Sequence, residues 1–71
     1  MAADQDAIRV ANNIRAEVAR RRLSQVKLAE QVGIRQQALS RRLNGTTPFR
    51  IDELARIAEV LDIPLADLVV A

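Results

Sequence analysis

The sequence predicts an all-α protein, five short helices packed around one core. Three observations lead there. Apolar residues recur three and four positions apart, the period of a helix face, and nowhere alternate over the length of a strand. The hydrophobic 49% of the 71 residues is essentially Leu, Ile, Val and Ala, with one Phe and no Trp or Tyr. Ser24, Gly33, Asn44-Gly45, Pro48 and Pro64 fall between the periodic runs, where helices start and stop. Residues 1–71 are read as one small domain. A core of this size is marginal without efficient packing, since there is no cysteine to staple it.

The first helix is expected from about Asp6 to Arg22, with Ala7, Val10, Ala11, Ile14 and Val18 on its apolar face. Asp4 or Asp6 caps its start, and Arg20, Arg21 and Arg22 complement the dipole at its end, a role compatible with the alternative that they contact phosphates. The second runs from Gln25 to Val32 behind the N-cap Ser24, buries Leu28, Ala29 and Val32, and stops at Gly33. Ala29 is small where two helices cross. The third runs from Gln36 to Leu43 on Leu39 and Leu43, with Ile34 plugging the core from the turn. The fourth, about Ile51 to Leu61, carries Leu54, Ile57, Ala58 and Leu61. Its Asp52 and Glu53 complement the dipole, and Phe49 leads in as a core residue. The fifth is a short turn, LADLVV, after Pro64.

Charge is unevenly distributed. Residues 9–50 hold ten basic side chains against Glu17 and Glu30, a balance of +8, whereas residues 51–71 hold Arg56 against five acids, a balance of −4. A polyanion is drawn to the first half. No acid occurs between Gln31 and Arg50, so Arg35, Arg41 and Arg42 have no counter-charge on or beside the third helix. A surface helix built for stability carries opposite charges at i,i+4 instead.

The segment SQVKLAEQVGIRQQALSRRLNG, Ser24 to Gly45, therefore reads as two helices joined by a glycine turn, the second polar and cationic. That is the pattern of a helix-turn-helix DNA reader, residues 24–45. Gln and Arg suit it: Gln bonds adenine bidentately, and Arg bonds guanine O6 and N7.

With LSQVKLAEQVG, IRQQALSRRLNG and TPFRIDELARIAEVLDIPLADL in place, the chain resembles the Cro/lambda-repressor-like helix-turn-helix family, the XRE-type regulators, over roughly Ile14 to Val69. The resemblance implies a compact five-helix lambda-repressor-like fold. It implies DNA base reading by Gln36, Gln37 and Arg41, to which Ser40 on the same helix is added, and backbone contacts by Ser24, Gln25, Asn44 and the loop after it. Thr46, Thr47, Arg35 and Arg50 are assigned to the backbone as well. Two departures stand out. The family usually has a short polar cap at the position of Arg35, and Arg cannot accept a hydrogen bond, so about 1 kcal/mol of capping is missing. Many members also carry a buried Arg–Glu pair where this chain has Val18 and Leu43.

Enzymatic readings lack parts. There is no His or Cys, Ser40 has no base beside it, and two glycines make no phosphate loop. The carboxylates Asp52, Glu53, Glu59, Asp62 and Asp67 read as dipole complements and solvated faces. No metal, cofactor, small-molecule ligand or membrane is expected, and neither a signal peptide nor a spanning segment is legible. The expectation is a cytoplasmic transcriptional regulator of double-stranded DNA, a small phage or bacterial repressor or the DNA-binding part of a longer one. It works in the bacterial nucleoid, or in the host cytoplasm if phage-encoded. A homodimer on DNA is expected through Val69 and Val70. The alternative is a protein-interaction module on the same scaffold, antitoxin-like or an anti-regulator partner.

Overall fold

The computed structural model describes residues 5–70. Its elements are α1 (Gln5–Arg20), α2 (Gln25–Val32), α3 (Gln36–Leu43), α4 (Ile51–Leu61) and α5 (Ala66–Val69), with no strand among the described residues. This is the predicted all-α fold. The apolar stripes converge in one cluster: Ile14 and Val18 of α1, Leu28, Ala29 and Val32 of α2, Leu39 and Leu43 of α3, four residues of α4, and Leu68 of α5. Ile34 and Phe49 pack against it from the connecting segments. Burying one such Leu or Ile contributes about 1.5–3 kcal/mol. Ile14, Leu28, Leu39, Ile57 and Leu68, all fully buried, therefore carry the fold. α3 packs on both α1 and α2, while α2 also packs on α4 and α1 on α5. No helix among the described residues is long and apolar enough to cross a membrane.

Four helices end alike. Arg22, Gly33, Gly45 and Asp62 take left-handed backbone, at φ 53°, 83°, 78° and 57°. The next amide then reaches back five residues: Leu23 to Val18, Ile34 to Ala29, Thr46 to Arg41 and Ile63 to Ala58. This closure satisfies carbonyls that a helix end leaves open, and an apolar residue after the left-handed one usually packs inward. Leu23, Ile34 and Ile63 do so. The closure also corrects the first helix, which ends at Arg20 rather than Arg22, because the positive φ at Arg22 stops it. At its other end, Asp6 lies in the first turn, and Asp4 is outside the described residues.

Three further carbonyl ends are closed by side chains from distant helices. Arg15 Nη1 donates to Leu43 O at 3.0 Å, and Arg56 Nη1 to Val32 O at 3.3 Å. Asn13 Nδ2 donates to Leu68 O at 3.1 Å and Val70 O at 2.6 Å. The Leu43, Val32 and Leu68 carbonyls lie in last turns, where no amide of the same helix follows to reach them, and at Leu43 and Val32 the cation also complements the dipole. The apolar pair that replaces the family's Arg–Glu pair, Val18 and Leu43, is buried within the core.

Candidate nucleic-acid interface

The turn between α2 and α3 fixes how α3 is presented. Ser24 Oγ accepts from Lys27 N at 3.1 Å and starts α2. Gly33 ends it in left-handed backbone, where a Cβ would find room, 3.8 Å from Arg56 Nη1. The backbone angle, not space, asks for glycine there. Arg35 then enters α3 in extended backbone without a side-chain cap. As its donor-only chemistry dictates, it leaves the first amides of α3 without an acceptor from this side chain.

Leu39 and Leu43 anchor α3, and the side away from them is open. Gln36, Gln37 and Arg41 are exposed, and Ser40 is half-buried. Gln37 and Arg41 are one turn apart, as are Gln36 and Ser40, so the four form one surface. Around it, Ser24, Gln25, Arg35, Asn44, Thr46 and Arg50 are exposed and Thr47 is half-buried. The Ser24 hydroxyl accepts in its cap and keeps its own hydrogen to donate. Asn44 Oδ1 accepts from Arg15 Nη1 at 3.4 Å, which leaves its amide nitrogen for other partners. Arg50 Nε pairs with Asp52 Oδ1 at 3.1 Å with both side chains more than half exposed, a pair that solvent screens heavily.

Arg35 and Arg41 have no ion pair among the described residues. Arg42 differs, and here the sequence expectation is corrected. Its Nε donates to Glu53 Oε1 at 2.8 Å, with the two side chains 17% and 8% exposed, and its Nη1 donates to Ala38 O at 3.1 Å. Glu53 is thus no solvated dipole complement. The same Oε1 also accepts from Arg50 N at 2.9 Å, the start of α4. A counter-charge eleven residues away on another helix escapes any i,i+4 search. A faint signal existed: Arg42 follows Ala38 by one turn at the edge of the Leu39–Leu43 stripe, and Glu53 precedes Ile57 by one turn at the edge of its own.

The basic triplet after α1 is partly spoken for. Arg20 and Arg21 both pair with Glu17, while Arg22 forms no ion pair among the described residues. The hydrogen bond from Arg21, then that from Arg20, holds the Glu17 carboxyl below the usual carboxylate range.

Comparison with known proteins agrees with this architecture. The Helix-turn-helix family model matches residues 14–68. No curated protein matches the chain by sequence. Among solved structures, the SOS-response transcriptional repressor LexA of Eubacterium rectale superposes with a TM-score of 0.90 at 20% identity, over 99% of this chain and 74% of that one. The restriction-modification controller protein C.AhdI of Aeromonas hydrophila gives 0.86 at 22% identity, over 92% of this chain and 98% of that one. A hypothetical transcription factor, NHTF, from Neisseria gives 0.85 at 18%, over 99% and 84%. At such identities the likeness speaks to the fold.

Proposed function

The chain belongs to the XRE-type helix-turn-helix family of DNA-binding transcription regulators, and from that premise we propose that it is a sequence-specific, repressor-type regulator that reads the major groove with α3. One observation carries the reading: a short helix anchored by Leu39 and Leu43 presents Gln36, Gln37, Ser40 and Arg41 outward, with Arg41 unpaired among the described residues. Gln36 and Gln37 offer paired donor and acceptor groups to adenine, and Arg41 a two-pronged donor to guanine. Ser24, Gln25, Asn44, Thr46 and Thr47 grip the phosphates, and Arg35 and Arg50 add charge. Residues 1–71 act as one unit, with 24–45 as the reading motif.

The domain binds a two-fold symmetric site as a pair, with half-sites roughly 34 Å apart. Val69 and Val70, 39% and 54% exposed, form the seam. Leu65 and Leu68 are turned to the protein's own core, so only a small apolar area is left for pairing. That area falls short of a standard interface, so the pair forms on DNA rather than in free solution. The regulator works where bacterial DNA is, in the cytoplasm.

Selection of bound duplex from a random pool, followed by a salt titration on the winner, tests the reading. The expected result is a palindromic consensus and a log-linear loss of affinity with salt. No enrichment and no salt slope would instead favour the protein-interaction module.

A further inference from the structure

Glu53 stands where three elements meet. One of its oxygens receives both the Arg42 guanidinium of α3 and the Arg50 amide at the start of α4. The loop between these helices, residues 44–50, carries Asn44, Thr46, Thr47 and Arg50. Its far end is therefore tied at Arg50 to a buried carboxylate, 8% exposed, and α3, from which the loop departs, is tied to the same oxygen through Arg42 in its last turn. Arg42 itself is drawn into the protein and spends a second donor on Ala38 O.

Stability alone is a poor reason for such a pair. Two charges removed from water cost more than their attraction readily returns, and apolar residues of similar volume often serve as well or better. The core residues of this chain, Val18 and Leu43 among them, are apolar. What an ion pair adds is direction: a guanidinium and a carboxylate meet in few orientations, whereas two leucines slide.

We propose that Arg42 and Glu53 are positioning residues for DNA recognition. They fix the rotation of α3 and the course of the 44–50 loop, so that base-reading and phosphate-gripping groups meet one duplex together. Neither touches DNA. This rests on the DNA-reading function proposed above.

The test measures affinity for the selected site and for random duplex, first with the wild-type protein. Absence of any site preference there would overturn the DNA reading and this inference with it. The double variant Arg42→Leu with Glu53→Leu removes one charge of each sign, so net charge and attraction to phosphates are preserved. In double variant shown to be folded by circular dichroism, affinity for the selected site should fall about tenfold, while random-duplex affinity and the salt slope stay as in wild type. Unchanged site affinity in that folded variant overturns the positioning role. Should the double variant fail to fold, Glu53→Gln decides. It keeps an acceptor oxygen in place and adds one net positive charge, so random binding strengthens while the site-to-random ratio drops several-fold. A ratio equal to that of wild type overturns the proposal.

Discussion

The guanidinium of Arg15, in α1, donates to the carbonyl of Leu43, the last residue of α3, at 3.0 Å. Twenty-eight residues separate the two. The bond closes the C-terminal end of the candidate reading helix from outside, and it sets a cation against the negative end of that helix's dipole. Replacing Arg15 by Met keeps most of the stem's packing and removes the donor. Unfolding in urea should then show a loss of about 1 kcal/mol with an unchanged slope. Equal stability of the Met variant would leave the cap without energetic weight.

The left-handed positions should respond to substitution in opposite directions. A Cβ at Gly45 would stand 3.1 Å from Ile8 Cγ1, in backbone already at φ 78°. Gly45→Ala should therefore cost more than Gly33→Ala, where strain of about 1 kcal/mol acts alone. Arg22 already pays that strain at φ 53°. Arg22→Gly should raise stability by about 0.5–1 kcal/mol. Thermal melts of the three variants give the order directly, and a destabilised Arg22→Gly protein would refute the argument.

Acid should weaken the end of α1. Arg21 and Arg20 hold the Glu17 carboxyl below its ordinary range, so the folded state prefers the ionised form. That contribution is full above the unfolded carboxylate value, about 4.3. It is lost as pH falls through the lowered folded value. The stability difference between wild type and Glu17→Gln should accordingly be present at neutral pH and shrink to nothing in acid. A difference independent of pH would mean that the pair with Arg20 and Arg21 is not its source.

Base reading and phosphate gripping separate in their salt behaviour. Arg41→Ala should cost about 1–3 kcal/mol on the preferred site and relax the preference at one base pair. Arg35→Ala should lower the salt slope by about one and leave the consensus intact. Repeating the random-pool selection with each variant distinguishes the roles. Uniform weakening in the Arg41 variant would make that residue a phosphate contact, and an altered consensus in the Arg35 variant would make it a base reader.

Pairing on DNA is tested at Val70, which is 54% exposed. Val70→Glu should leave the monomer's melting temperature nearly unchanged, since surface substitutions of this kind usually shift stability by less than about 0.5 kcal/mol. It should weaken occupancy of a full palindrome while sparing a single half-site. Footprint length and the mass of the complex read this out, and a wild-type complex of one copy on one half-site would exclude the pair.

Features that depend on neighbours along the chain were legible before any fold was known. The helix faces follow from spacing of three and four. The cap at Ser24 and the stop at Gly33 follow from what one hydroxyl and one missing Cβ can do locally. The outward chemistry of Gln36, Gln37 and Arg41 follows from their distance around the helix from Leu39 and Leu43. Which charges are free emerges only once the helices are packed. Arg42 and Glu53 pair across eleven residues, Arg56 reaches Val32 across 24, and Asn13 reaches Val70 across 57. Long polar side chains choose partners by where helices cross, and no period along the chain encodes a crossing. For the same reason Glu53 reads as a surface acid in the sequence and becomes a buried hub in the fold.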